Sequence, residues 1–262
     1  MADLDVLLFT VDVPLAHRAA SAGVAGFVVD WEDRRQSADR NGVDDSLGPD
    51  TADDLSRIAG VAGARVVCRI NPVGPATPCE VDRAITCGAT DLLVPMVETP
   101  HDAALVVDLA AGRARVGIMI ETVEACDHAD ELARTPVDFV YVGLLDLAIC
   151  RREGNVFRPL ADGTADRLRD TFNGTRFGIG GVTVVDGGSP VPCRMLLAEL
   201  ARLRTDLAFA RRSFKRDIEG RDMAIEHQRL RDVWRTLVAR TPGEVAADHH
   251  AFVAGYGDSR PR

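Results

Sequence analysis

The sequence is almost without lysine: Lys215 stands alone against thirty arginines. A Schiff-base mechanism needs a lysine amine, so only one position can supply one. Apolar runs are short, none reaching the roughly 18 residues of a membrane span. The start carries Asp3 and Asp5 where a secretory signal would carry basic residues. A cytoplasmic protein with no membrane partner is therefore expected. The six cysteines form no C-x-x-C pair, which excludes a zinc knuckle and a dithiol redox motif and leaves ordinary reduced thiols. Zinc spacings of the H-x-x-x-H or H-x-H kind are missing too. His17, His101 and His128 fall in helical stretches, His249 and His250 near the C-terminus, and all five read as surface residues. There is no G-x-G-x-x-G, no P-loop and no G-x-S-x-G elbow, which argues against a nucleotide site and a serine hydrolase. Positive charge is in deficit, 31 basic against 40 acidic residues for a net charge of −9, so nucleic acid is not an expected partner.

What the chain does have is a hydrophobic fraction of 46% over 262 residues, about the length of one (β/α)₈ barrel. Short β-branched runs alternate with helical stretches and Gly or Pro punctuation, the pattern of βαβ units. Strands are predicted at 6–9, 26–31, 64–70, 91–95, 115–120, 139–143, 176–183 and 206–211. Helices are predicted at 14–22, 52–61, 80–87, 100–111, 125–134, 164–172, 192–204 and 219–239. The runs "GFVVDW", "RVVCRI" and "RVGIMIE" are apolar nearly throughout, as when both faces of a parallel sheet are covered. These features predict a single α/β domain over 1–262. It would be a TIM barrel with its core at about 4–215, an added helix at about 219–240 and a tail at 241–262. Long connections at 34–54 and 186–192 would lie over the barrel mouth as lid or substrate-contacting loops.

Polar residues recur where the apolar runs end, which in a barrel is the catalytic face. Glu121 closes "GIMIE" and Asp146 follows "VYVG". Two carboxylates on adjacent strands can share a hard cation such as Mg²⁺, which takes one or two protein carboxylates and leaves its other positions to water and substrate. They can equally cap the helices that follow. Arg69 ends "RVVCR" and can grip a substrate carboxylate in bidentate fashion; the alternative is an ion pair with Asp30 or Glu32 that holds the mouth together. In "VDWED", alternation puts Asp30 and Glu32 on one face and Trp31 on the other. Arg211 and Arg212 end the last strand, placed either for a second anionic substrate group or for acids of the helix ring.

At these residues the sequence resembles the HpcH/HpaI aldolase and citrate lyase β-subunit family. The matching pieces are "GVAGFVVDWEDR", "VVCRINP", "GATDLLVPMVETPHDA", "GIMIETVEA" and "VDFVYVGLLDLA", with a weaker echo through "FGIGGVT" and 192–211. The resemblance implies a pyruvate/phosphoenolpyruvate-type barrel with Mg²⁺ or Mn²⁺ as cofactor. Glu121 and Asp146 match its metal ligands, Arg69 its arginine at the substrate carboxylate or enolate oxygen, and Glu32 an acid of its β2 motif. It implies C–C bond cleavage or formation through a metal-stabilised enolate of a 2-oxo acid or CoA thioester. A cation on both oxygens of a 2-oxo acid spreads the charge that develops on cleavage.

Two departures bear on specificity. The strand-six ending "GPNDL" of the family is "GLLDL" here, which makes the pocket more apolar. The base histidine of the 2-oxo acid aldolase branch has no counterpart in "WEDRRQSADRNG". Alternative readings on the same barrel are a CoA-thioester hydrolase or transferase and a non-catalytic metabolite binder. A homo-oligomer is expected from the apolar positions Met223, Ile225, Leu230, Val233, Trp234 and Leu237, unless that helix simply completes the outer ring.

Overall fold

A computed structural model describes residues 3–33, 49–61, 63 and 65–257. Its strands are β1 Asp5–Phe9, β2 Gly26–Asp30, β3 Arg65–Arg69, β4 Asp91–Val94, β5 Arg115–Ile120, β6 Phe139–Val142, β7 Arg176–Ile179 and β8 Leu207–Phe209. All pair in parallel in chain order, and β8 returns to β1 to close the barrel. The predicted (β/α)₈ class is what the chain adopts, with strand ends one or more residues shorter where Gly or Pro punctuation was read into the strand.

Alternation along each strand sorts the core into two layers. Leu7, Val28, Val67, Leu93, Met119, Phe139, Tyr141, Leu207 and Phe209 fill the barrel interior. Their neighbours Leu8, Phe27, Val29, Val66, Cys68, Ile118 and Val140 pack outward on the helix ring. On β3 the inward positions are Arg65, Val67 and Arg69, so one arginine ends up at each mouth. At the lower mouth Arg65 donates to the fully buried Asp91, which Arg115 also reaches at 2.9 Å. This ion network reads as stability, while Arg69 sits at the upper face where barrel chemistry is placed.

The stretch expected to be a tail, 241–262, carries a helix at Pro242–Tyr256. Thr241 and Glu244 form a capping box there, a T-x-x-E signal visible in the sequence. The helix is tied down by the buried Phe252, by a bond from Asn155 to the Tyr256 carbonyl, and by the His249 Nδ1 contact to Glu199 at 2.9 Å. Residues 258–262 lie outside the described residues.

The preceding helix, Met223–Val238, starts later than predicted because Asp222 caps it, accepting from the amides of Ala224 and Ile225. Met223, Leu230, Trp234 and Leu237 are buried within their own chain, so the apolar stripe completes the outer ring. Only Ile225 stays well exposed, at 59%, and this helix no longer argues for an oligomer. His227, on the same helix, is buried with Nδ1 2.8 Å from the Ala22 carbonyl. All six cysteines are free thiols. Among the described residues no helix is long and apolar enough to cross a membrane.

Candidate active site

The upper ends of β2 and β3 are in register at Asp30 and Arg69, and that register decides what Arg69 does. Its Nε and Nη2 donate to the two Asp30 oxygens at 2.8 and 2.5 Å, and its Nη1 lies 3.1 Å from Glu32. The guanidinium is buried and also lies over the Phe9 ring, 5.5 Å from its centroid. Burial alone would lower its pKa, but the charges of Asp30 and Glu32 outweigh that and push it up, so Arg69 stays a cation. The ion-pair alternative for Arg69 is thus realised with both acids. Of its five N–H donors, three meet these carboxylates, a second on Nη1 goes to Met119 Sδ at 4.0 Å, and one on Nη2 remains. Glu32 meets Arg69 from behind and borders the neighbouring cleft rather than the chamber that Arg69 lines.

The structure removes the capping alternative for both carboxylates. Helix Val123–Asp127 is capped by Thr122, whose side chain accepts from the Ala125 amide. Helix Leu144–Cys150 begins after Gly143 without a side-chain cap, and Asp146 sits buried inside its first turn. Glu121 is fully buried at the end of β5. Its Oε1 accepts from the Met96 amide at 2.9 Å, while its Oε2 has no hydrogen-bond partner. Met96 takes a left-handed φ of 51° to aim that amide, a strained conformation of the kind that persists where surrounding structure enforces it.

A buried carboxylate oxygen without a donor is costly, and here the cost shows in its titration. Burial first, then the nearby Asp146 charge, pushes the Glu121 carboxyl up to about 8, with Arg69 opposing. A divalent cation answers both features, because it supplies the missing partner for Oε2 and neutralises the repulsion from Asp146. Among the described residues no three His, Cys, Asp or Glu gather into a metal cluster. Two carboxylates with open positions are a donor set suited to Mg²⁺, which retains water and substrate oxygens, and unsuited to a closed zinc site.

Gly143 is part of this arrangement: a β-carbon there would stand 2.2 Å from Glu121 Oε2. Gly143→Ala is therefore expected to displace that oxygen and to weaken Mg²⁺ binding at least tenfold, about 1.4 kcal/mol, while the protein stays folded. Titration calorimetry with Mg²⁺ checks this; unchanged affinity would show that the position of Oε2 does not matter.

Glu121, Asp146 and Arg69 all line one chamber of about 380 Å³. Its walls include Phe9, Met119, Tyr141, Leu144, Leu145, Phe157 and Phe209. Tyr141 stacks on Phe209 with centroids 4.0 Å apart, and Phe9 meets Phe209 edge-on. Burial pushes the Tyr141 phenol up, so it is a neutral hydrogen-bond donor.

The two strand-eight arginines are differently placed. Arg211 donates Nε to the Gly181 carbonyl at 2.8 Å and Nη1 to the Ser189 carbonyl at 3.0 Å, clamping the loop after β7. Arg212 is exposed and reaches Asp30 at 3.5 Å. Both border the chamber. Lys215 is exposed on helix Phe214–Asp217 and is not among the chamber-lining residues, so the one lysine is out of place for a Schiff base. No histidine lines the chamber among the described residues.

Of the long connection predicted after β2, residues 34–48 lie outside the described residues, and so does most of the segment searched for a base histidine. Where the chain returns, Asp50 accepts from the Asp30 amide and Trp31 Nε1 donates to the Thr51 carbonyl. Met96 and Tyr141 are not among the site residues expected from the sequence. Met96 has no local signal beyond following a proline. Tyr141 carries one, as a polar-tipped ring at an inward position of β6 facing the glycines of "GIGG".

No family model and no curated protein sequence matches the chain. Solved structures do match in fold. One is the HpcH/HpaI aldolase from Desulfitobacterium hafniense DCB-2, at 15% identity and TM-score 0.60, covering 92% of this chain and 94% of that one. A second is an HpcH/HpaI aldolase/citrate lyase family protein from Burkholderia cenocepacia J2315, at 19% identity and TM-score 0.61, with 90% and 94% coverage. A third is a citrate lyase β subunit from M. tuberculosis complexed with oxaloacetate and magnesium, at 19% identity and TM-score 0.57, with 91% and 98% coverage. The fold shared with these structures is the one that the sequence resemblance implied.

Proposed function

We propose that this chain is a divalent-metal-dependent carbon–carbon lyase of the HpcH/HpaI aldolase and citrate lyase β-subunit type, acting through the enolate of a 2-oxo acid or acyl thioester. The observation that carries the reading is Glu121: a fully buried carboxylate beside Asp146, one oxygen satisfied by Met96 and the other without a partner. The magnesium named with the M. tuberculosis structure supports it, as does the oxaloacetate.

Glu121 and Asp146 would hold Mg²⁺ or Mn²⁺, which when bound acts as a Lewis acid toward the enolate charge. Arg69 keeps one N–H on Nη2 for a substrate carboxylate, and its pairing with Asp30 and Glu32 fixes the direction of that donor. Glu32 is then a positioning residue for Arg69. The apolar walls exclude water from the reacting carbon, which protects an enolate from stray protonation and strengthens each charge interaction inside. Arg211 and Arg212 stand at the rim, where an anionic group of a larger substrate would pass.

The test is proton NMR of pyruvate in D₂O with purified protein. Loss of the methyl signal that requires Mg²⁺ or Mn²⁺ and is stopped by EDTA is the expected result. A folded, metal-loaded sample that exchanges neither pyruvate nor an acyl thioester would overturn the reading.

A further inference from the structure

The connection 151–157 leaves the helix that carries Asp146 and returns to the chamber at Val156 and Phe157, both of which line it. At its start the amides of Arg152 and Glu153 bond back to the carbonyls of Ile149 and Ala148 in that helix. Its far end, the chamber wall, is held by a side chain instead. Asn155 Oδ1 accepts from the Phe157 amide at 3.0 Å, an Asx turn that sets the backbone from which the buried Phe157 ring reaches over Gly181.

The other half of the same amide is turned toward a distant part of the chain. Asn155 Nδ2 donates to the carbonyl of Tyr256, the last residue of the helix Pro242–Tyr256 and 101 residues further along. The final carbonyls of a helix find no partner within it, and Asn155 supplies one. The amide can stand only this way round, because the Phe157 N–H donates and the Tyr256 carbonyl accepts. Further back, the helix is seated on Cys193–Arg202: His249 meets Glu199, and Arg240, just ahead of the helix, donates to the Ala198 carbonyl at 2.8 Å. Phe252 is buried and its ring lies 5.7 Å from that of Tyr256, so the seating extends to the last turn.

We propose that the last turn of the C-terminal helix is part of the chamber's wall, with Asn155 as the positioning residue that passes its docking on to Phe157. The two hydrogen bonds of Asn155 make one link from the Tyr256 carbonyl to the Phe157 amide, so undocking the turn releases the wall. A wall that must be ordered anew at each binding event weakens whatever the chamber holds. The two carboxylates lie outside this link. Glu121 is held by the Met96 amide, and Asp146 belongs to the helix on the near side of the connection. The effect therefore falls on substrate affinity and spares the cation. It holds for any ligand of the chamber, whichever reaction takes place there.

Gly255→Pro in the full-length protein tests the link from its remote end. Gly255 is exposed, with nothing within 4 Å of the place a β-carbon would occupy, and proline there breaks the last helical turn without touching Asn155 or the chamber. In hydrogen exchange read by mass spectrometry, the amides of 155–157 should exchange about tenfold faster together with those of 253–257, while 118–121 keep the parent's rates. Gly255→Ala keeps the helix and should match the parent. Mg²⁺ affinity by calorimetry should be unchanged. In the pyruvate methyl-exchange assay KM should rise about three- to tenfold, with kcat within about twofold of the parent. Asn155→Asp makes the cut from the other side, since it keeps the acceptor for Phe157 and loses the donor to Tyr256; it should free 253–257 and reproduce the rise in KM. Fast exchange at 253–257 with parent rates at 155–157, or a parent-like KM in Asn155→Asp, would overturn the proposal. A parent that exchanges no pyruvate methyl protons would count against the lyase reading alone, and the rates at 155–157 would still decide the coupling.

Discussion

Glu121→Gln is expected to abolish metal-dependent turnover while leaving the protein at least as stable as its metal-free parent. Glutamine keeps the acceptor for the Met96 amide and removes a buried charge that Asp146 opposes. It cannot hold a cation as the carboxylate does. Loss of Lewis-acid stabilisation worth several kcal/mol corresponds to a rate decrease of about 100- to 10,000-fold. The rise in melting temperature that saturating Mg²⁺ confers on the parent should vanish with it.

The same residue sets a pH dependence. In the unfolded chain its carboxyl titrates near 4.5; in the folded, metal-free protein it is pushed up to about 8. Its stabilising contribution is therefore fully present below the unfolded value and is lost as pH rises through the folded one. Metal-free protein should lose stability from this source between about pH 5 and pH 8, because the fold must then accommodate a buried charge. With Mg²⁺ bound the carboxylate is ionised throughout, so added metal should stabilise more at high pH than at low pH. Thermal melts across that range, with and without Mg²⁺, check both slopes. A variant Glu121→Gln that retains the parent's slope would show that another group is responsible.

Replacing Arg69 should have the next largest effect, and on two readouts at once. Arg69→Ala removes the cation shared by Asp30 and Glu32 at the barrel mouth. Removing one partner of a buried ion pair costs on the order of 3 kcal/mol, which for a chain of this length is on the order of 5–10 °C in melting temperature. Activity should fall further than stability accounts for, since the donor proposed for the substrate carboxylate goes too. Arg69→Lys separates the effects. Lysine preserves the charge but lacks the planar fork that meets Asp30 through two nitrogens at once, so most of the stability should return and most of the activity should not. Full activity in Arg69→Lys would show that the fork geometry contributes only to holding the mouth together.

The repeating strand and helix pattern was legible in the sequence because its causes are local. Parallel strands covered on both faces must be apolar nearly throughout, as Gly26–Asp30 and Arg115–Ile120 are, and helices such as Ala52–Ala59 and Pro100–Ala110 announce themselves by period and cap. The same locality made Arg69, Glu121 and Asp146 visible, since a polar residue closing an apolar run needs a reason to be there. The capping box at Thr241 was equally local and was passed over, which is why a helix stood where a tail was expected.

Whatever depended on pairing across the barrel was decided by the tertiary structure. Asp30 and Arg69 meet because β2 and β3 align at that register, 39 residues apart in the chain. Thr122 and Gly143 take the helix starts, which frees Glu121 and Asp146 from capping, and only the folded chain shows that one oxygen of Glu121 is then left without a partner. Tyr141 meets Phe209 and Gly180 because closure brings β6, β7 and β8 side by side around one interior. A residue's type and its strand position are properties of its neighbours in sequence, and these set the barrel and its candidate acids. Which charges pair, which oxygen is orphaned and which glycine makes room are set by distances between strands, and those exist only once the barrel has closed.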